Sequence, residues 1–160
     1  MSITIINKTI CCICEKVIEQ GEVYRGFPPF ISNVKDPLYF FNDASFHIEC
    51  IKSHPSGNRA IKFADDFIIN TSPTNRRCIV DNKRIENIED YIFMGLLTSN
   101  DNEELFEFNF TTLNKKNLNK WTHRKRFIEV AIKFELDGKW GDFTSFKYLE
   151  NLIKVISFNI

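Results

Sequence analysis

Apolar positions in this chain fall in short bursts separated by Pro, Asn, Asp and Gly, a pattern of small hairpins and short helices. The first burst, Glu22–Phe27, reads as a strand. Pro28-Pro29 and Asp36-Pro37 break the chain, and Leu38–Asn42 reads as a second strand. Asp43 to Ser45 supply helix-start residues, so Phe46–Ser53 is predicted to be a short helix ending before Pro55. Ile61, Ala64, Phe67 and Ile68 then recur at helical spacing. Farther along, Asp90–Leu97 and Leu105–Phe110 read as a hairpin around the turn cluster Thr98–Asn102, and Thr111-Thr112 cap a helix that begins at Leu113. Phe127–Leu136 carries two periods at once. Ile128, Val130, Ile132 and Phe134 alternate as in a strand, whereas Glu129, Lys133 and Asp137 share one helical face. Beyond Asp137-Gly138, the stripe Phe146, Leu149, Leu152, Ile153 and Ile156 reads as a core-facing helix.

A shift of 67 residues lays the first half on the second without a gap. Between positions 11 and 50, 11 of 40 residues are identical, among them Cys11/Cys78, Ile18/Ile85, Tyr24/Tyr91, Leu38/Leu105 and Phe41-Asn42/Phe108-Asn109. This reads as two copies of one supersecondary unit, at about 4–70 and 71–137. The correspondence tips 127–136 toward helix, because its counterpart has helical spacing.

The five cysteines, Cys11, Cys12, Cys14, Cys50 and Cys78, make a poor disulfide framework, being odd in number with three inside four positions. Cys11-x-x-Cys14 and His47-x-x-Cys50 instead have the form of a Zn²⁺ site, two converging sulfurs plus two ligands one helical turn apart. Cys12 is either a substitute for one of its neighbours or a packed bystander. In the second copy the ligand positions become Cys78, Asp81, Asn114 and Asn117. Amides bind zinc weakly, so one structural Zn²⁺ is expected in the first copy and none in the second. There, Asn114 and Asn117 are expected to hydrogen-bond where the ion would sit.

Knuckle, hairpin and helix, with ligands paired two and two, resemble the treble-clef zinc finger. The stretches from Cys11 to Tyr24 and from Phe46 to Cys50 look like the first half of a LIM-type finger. The long gap between the pairs is more similar to poly(ADP-ribose) polymerase-type fingers. The resemblance covers about residues 11–53, with a degenerate echo at 78–120. A LIM domain would have a second quartet directly after Cys50, which this chain lacks. The polymerase finger grips DNA ends through basic residues, and the first copy is not basic.

The fold class expected is therefore α+β: tandem treble-clef-like units (knuckle, β-hairpin, helix, helix) at 1–73 and 74–137, the second without zinc. A helical segment at 138–160 packs on them.

Charge adds one feature. The chain has 21 Lys+Arg against 21 Asp+Glu, which argues against coating nucleic acid by bulk charge. Residues 113–126, however, carry six cations and no acid. Lys115, Lys116, Lys120, Trp121, Arg124, Lys125 and Arg126 are thus the candidate partner-binding residues, for an acidic protein surface or a nucleic-acid backbone. Trp121 would stack on a base or lie in the core. No apolar run approaches the roughly 18 residues of a membrane span, and Met1–Lys8 does not look like a secretory leader, so a cytoplasmic protein is expected. No P-loop, GxGxxG, HExxH or GxSxG signature occurs, and a four-ligand site leaves no open position, so no catalytic residue is assigned. The function expected is a zinc-stabilised protein-interaction module: an adaptor, an immunity or antitoxin-type inhibitor, or a phage–host conflict factor. The alternative is a nucleic-acid-binding finger using 113–126.

Overall fold

A computed structural model describes residues 3–158. These residues are mixed α and β, with two small antiparallel sheets. In the first half, β1 (Tyr24–Gly26) pairs with β2 (Ser45–His47) in the register Tyr24↔His47. Helix α1 (Ile48–Ser53) follows directly, and α2 (Gly57–Thr71) packs on it. In the second half, β3 (Tyr91–Phe93) pairs with β4 (Thr112–Asn114) in the register Tyr91↔Asn114. A 3-10 helix, Lys115–Lys120, comes next, then α3 (Arg124–Leu136) and α4 (Tyr148–Ser157).

These bounds recur at the 67-residue offset found in the sequence. So do finer details. A bridge Ile10↔Val17 matches Arg77↔Arg84, and Cys11 N–H to Lys16 C=O matches Cys78 N–H to Lys83 C=O. Glu15 and Asn82, at the same place in each knuckle, share a left-handed backbone with φ of 59° and 56°.

The structure corrects two strands and two helix starts. Leu38–Asn42 is not a strand: Pro37–Phe41 is a 3-10 helix, and Glu104–Phe108 is its counterpart in place of Leu105–Phe110. The cause is local. Asp36 Oδ1 accepts the Leu38 N–H and Pro37 opens the turn, while Leu38 and Phe41, three apart, both face the core. The second strand of each hairpin is instead the segment read as the beginning of the helix, so α1 begins at Ile48 rather than Phe46. The helix expected from Leu113 begins at Lys115, capped by Asn114 rather than Thr111-Thr112. Phe127–Leu136 is helical, as its counterpart α2 is. In α4 the residues Leu149, Leu152 and Ile156 are buried, whereas Phe146 precedes the helix and is exposed.

Among the described residues two apolar cores form. One gathers Phe27, Phe30, Phe41 and Phe46 with Ile51, Ala60 and Phe63. The other gathers Leu105, Phe108, Leu113, Trp121 and Phe127 with Leu149 and Ile156 of α4. Leu96 crosses into the first core and bridges to Ile31. Phe63 lies edge-on to Phe106 at 6.2 Å. The buried Asp36 accepts from Ser99 N–H at 2.6 Å and Ser99 Oγ at 2.7 Å, tying the halves with a charge-assisted pair.

Candidate metal centre

Four elements deliver the Cys3His group. The Ile10↔Val17 bridge closes the knuckle that presents Cys11 and Cys14. The β1–β2 register sets His47 at the end of β2, and one turn later α1 presents Cys50. The ligand atoms of Cys11, Cys14, His47 and Cys50 all lie within 4.8 Å of one another, and among the described residues no other His/Cys/Asp/Glu group of three or more converges this way. A tetrahedral Zn²⁺ with bonds of about 2.3 Å needs ligand separations of about 3.8 Å. His47 Nδ1 is 3.3 Å from Cys14 Sγ and 3.9 Å from Cys50 Sγ, near that separation, and the set fits one such ion once any wider pair closes by about 1 Å or less.

The surrounding hydrogen bonds prepare the ligands. His47 Nε2 is 3.0 Å from Glu22 Oε2, which leaves Nδ1 facing the sulfurs. Glu22 is itself held by the Glu19 N–H at 2.7 Å. Its carboxyl sits below the usual range because of that N–H and then because of His47. The His47 N–H donates to Cys11 Sγ at 3.4 Å. Burial opposes ionisation of Cys11, but N–H groups of Cys14, His47 and Ile13 outweigh it and bring the thiol down to about 6. Burial, then crowding by the sulfurs of Cys14 and Cys11, pushes Cys50 up to about 12. For His47, burial acts downward, but Cys14, Cys11 and Glu22 together raise it to about 9. Three sulfurs packed this closely cannot all ionise without a cation among them, and a divalent ion relieves that conflict. Cys12 is exposed, its sulfur 4.0 Å from the Ile10 carbonyl, and lies outside the ligand group.

The corresponding positions in the second half are linked by hydrogen bonds. Cys78 Sγ is buried and accepts from Asn114 N–H and Asn117 Nδ2, each at 3.4 Å. Asn117 Nδ2 also reaches Asp81 Oδ2 at 3.0 Å. Asn117 therefore sits where expected. The Asn114 side chain instead caps the Lys115–Lys120 helix through the Lys116 N–H.

The basic run does not form one face. Trp121 is buried, edge-on to Phe108 at 6.1 Å, so it presents no ring for stacking. Arg124 is also buried and donates to the carbonyls of Ile156 and Phe158 and to Asn119 Oδ1, clamping the end of α4. Arg126 pairs with Glu107 at 2.5 Å and Glu104 at 3.6 Å. Lys116 pairs with Asp90. Lys115, Lys120 and Lys125 are exposed. Placing Trp121 and Arg124 on an exposed patch is thereby corrected: Trp121 is part of the second core, and Arg124 is buried against the end of α4.

Glu22 is the residue that sequence reasoning missed. Its signal was an acid two residues ahead of Tyr24, the residue paired with His47, and it is visible only once the register is known. No helix among the described residues is long and apolar enough to cross a membrane. Comparison with known proteins gives no match: no family model, no curated protein and no solved structure aligns with the chain.

Proposed function

We propose that this protein is a small zinc-stabilised protein-interaction module. It is built from two copies of a treble-clef-like unit, the first clamped by one structural Zn²⁺ and the second held by packing and amides. The shared 67-residue offset of strands, turns and backbone hydrogen bonds supports the repeat. The observation that carries the functional reading is the Cys3His group itself. Four protein ligands fill a tetrahedral ion, leaving it no position for water or substrate, so its contribution is folding free energy. The strands of both halves are only three residues long, so in the first half the ion adds to what packing supplies. Five free cysteines suit a reducing compartment, which supports a cytoplasmic location. An adaptor, an immunity or antitoxin-type inhibitor, or a phage–host conflict factor all fit such a module.

The nucleic-acid reading is the weaker one, because Trp121 and Arg124 face inward while Lys116 and Arg126 are paired with acids. The zinc-loaded chain, tagged and recovered from its own cells, is expected to retain a stoichiometric protein partner after nuclease treatment. Retention of nucleic acid alone, weakening steeply with salt, contradicts the module and supports the alternative.

A further inference from the structure

The second half carries a cleft that its own core does not use. It lies between the Lys115–Lys120 helix and α4 and has a volume of about 600 Å3. Leu118, Val155 and Phe158 give it an apolar floor, and Lys115, Lys116 and Lys154 stand around it. A smaller cleft of about 260 Å3 shares Lys115 and Val155 with it and continues along α4 past Asn151 and Tyr148 to Phe146. The two form one groove. Its α4 wall follows Tyr148, Asn151 and Val155, three to four residues apart and so on one side of the helix, with Phe158 just past the helix end, while Leu149 and Ile156 on the other side fill the core. From 148 to 158 that wall is about 15 Å long, the span of about five extended residues.

Val155 is 39% exposed and Phe158 72% exposed, a large apolar surface beside three cations. The positions of Lys115 and Lys116 sharpen the point. The first half has Ile48 and Glu49 at the corresponding places, so the second half carries two cations where its counterpart has an apolar residue and an acid. Asp90 and Glu150 partly neutralise Lys116 and Lys154, but Lys115 stands between the two clefts.

We propose that this groove docks a short acidic and apolar peptide segment of a partner protein. Its apolar side chains cover Leu118, Val155 and Phe158, and its carboxylates face Lys115, with Lys116 and Lys154 beside it each shared with an acid of the chain, Asp90 and Glu150. The inference deepens the interaction-module reading and rests on it. Zinc content tests that reading separately, since every groove residue lies in the half without the Cys3His group.

The test is titration of the ¹⁵N-labelled, zinc-loaded full chain with a fluorescein-labelled peptide of about nine residues alternating Glu and Leu. The expected result is saturable binding, with shifts confined to the amides around 115–119 and 148–158 and affinity falling as salt rises. The exposed double variant Lys115→Glu/Lys154→Glu is expected to weaken binding by about tenfold, and Val155→Asp to weaken it while the chain's circular dichroism is unchanged. The Lys-Leu version of the peptide is expected not to bind. Absence of binding, shifts elsewhere, equal binding of the Lys-Leu peptide, or self-association of the chain through this groove would each overturn the proposal.

Discussion

Gly57 opens α2 against the end of α1, and replacing it by alanine sets two effects against each other. In a helix, alanine is favoured over glycine by about 0.5–1 kcal/mol. A Cβ at Gly57, however, would lie 1.7 Å from the Ile51 carbonyl oxygen, 2.7 Å from its carbon and 3.1 Å from Ile51 Cγ2. Ordinary contact begins at 3.4 Å, so the helices must part by well over an ångström or the first turn of α2 must unwind. The blocking atoms are backbone and cannot swing away as a side-chain tip would. Either escape opens the contacts of Ala60, Phe63 and Ala64, all buried on the inner face of α2. Overpacking of this kind costs about 3 kcal/mol or more, several times the propensity gain, so Gly57→Ala is expected to be destabilising. Ile51 follows Cys50 directly, so the variant is also expected to surrender zinc to a chelator faster than the parent chain. Urea unfolding of the metal-loaded protein, with release followed by a zinc-sensitive dye, measures both. A midpoint equal to or above that of the parent would refute the steric argument.

Other outcomes follow from the same geometry. Glu22→Gln removes the carboxylate that orients His47 and is expected to weaken zinc affinity by about 10- to 100-fold, measured by competition with a chelator of known affinity. Metal binding at neutral pH is expected to release protons from both His47 and Cys50, whose metal-free pKa values are raised to about 9 and about 12. Because those protons compete with the ion, affinity rises with pH between about 7 and 9 and falls on acidification, by more than tenfold per pH unit. Calorimetry in buffers of different ionisation enthalpy reads the proton count, and a pH-independent affinity would exclude these ligands. Asp36→Ala leaves the N–H groups of Leu38 and Ser99 without their acceptor at the junction of the halves, and is expected to cost about 2–4 kcal/mol in denaturant unfolding. Cys78→Ala strands the Asn114 N–H but removes no ligand, so it is expected to cost less than Cys14→Ser or Cys50→Ser.

The metal centre was legible because its information is local: ligand type, and spacing within one knuckle and one helical turn. Glu22 was not, because its meeting with His47 depends on strand register. The run Leu38–Asn42 was misread for a similar reason. Four adjacent apolar residues fit a strand as well as a 3-10 helix, and the Asp36 cap with its neighbouring Pro37 decides between them. In the basic run, closeness in sequence did not make a face. A helix turns about 100° per residue, so Arg124 points into the core while Lys125 meets solvent. Comparing the halves helped most where one alone was ambiguous, as for Phe127–Leu136.

The most direct test of the central claim is metal analysis of the natively purified chain combined with X-ray absorption at the zinc edge. The account predicts one zinc per chain, with three sulfurs and one nitrogen in its first coordination sphere. No zinc, two zincs, or a sphere dominated by oxygen would contradict it.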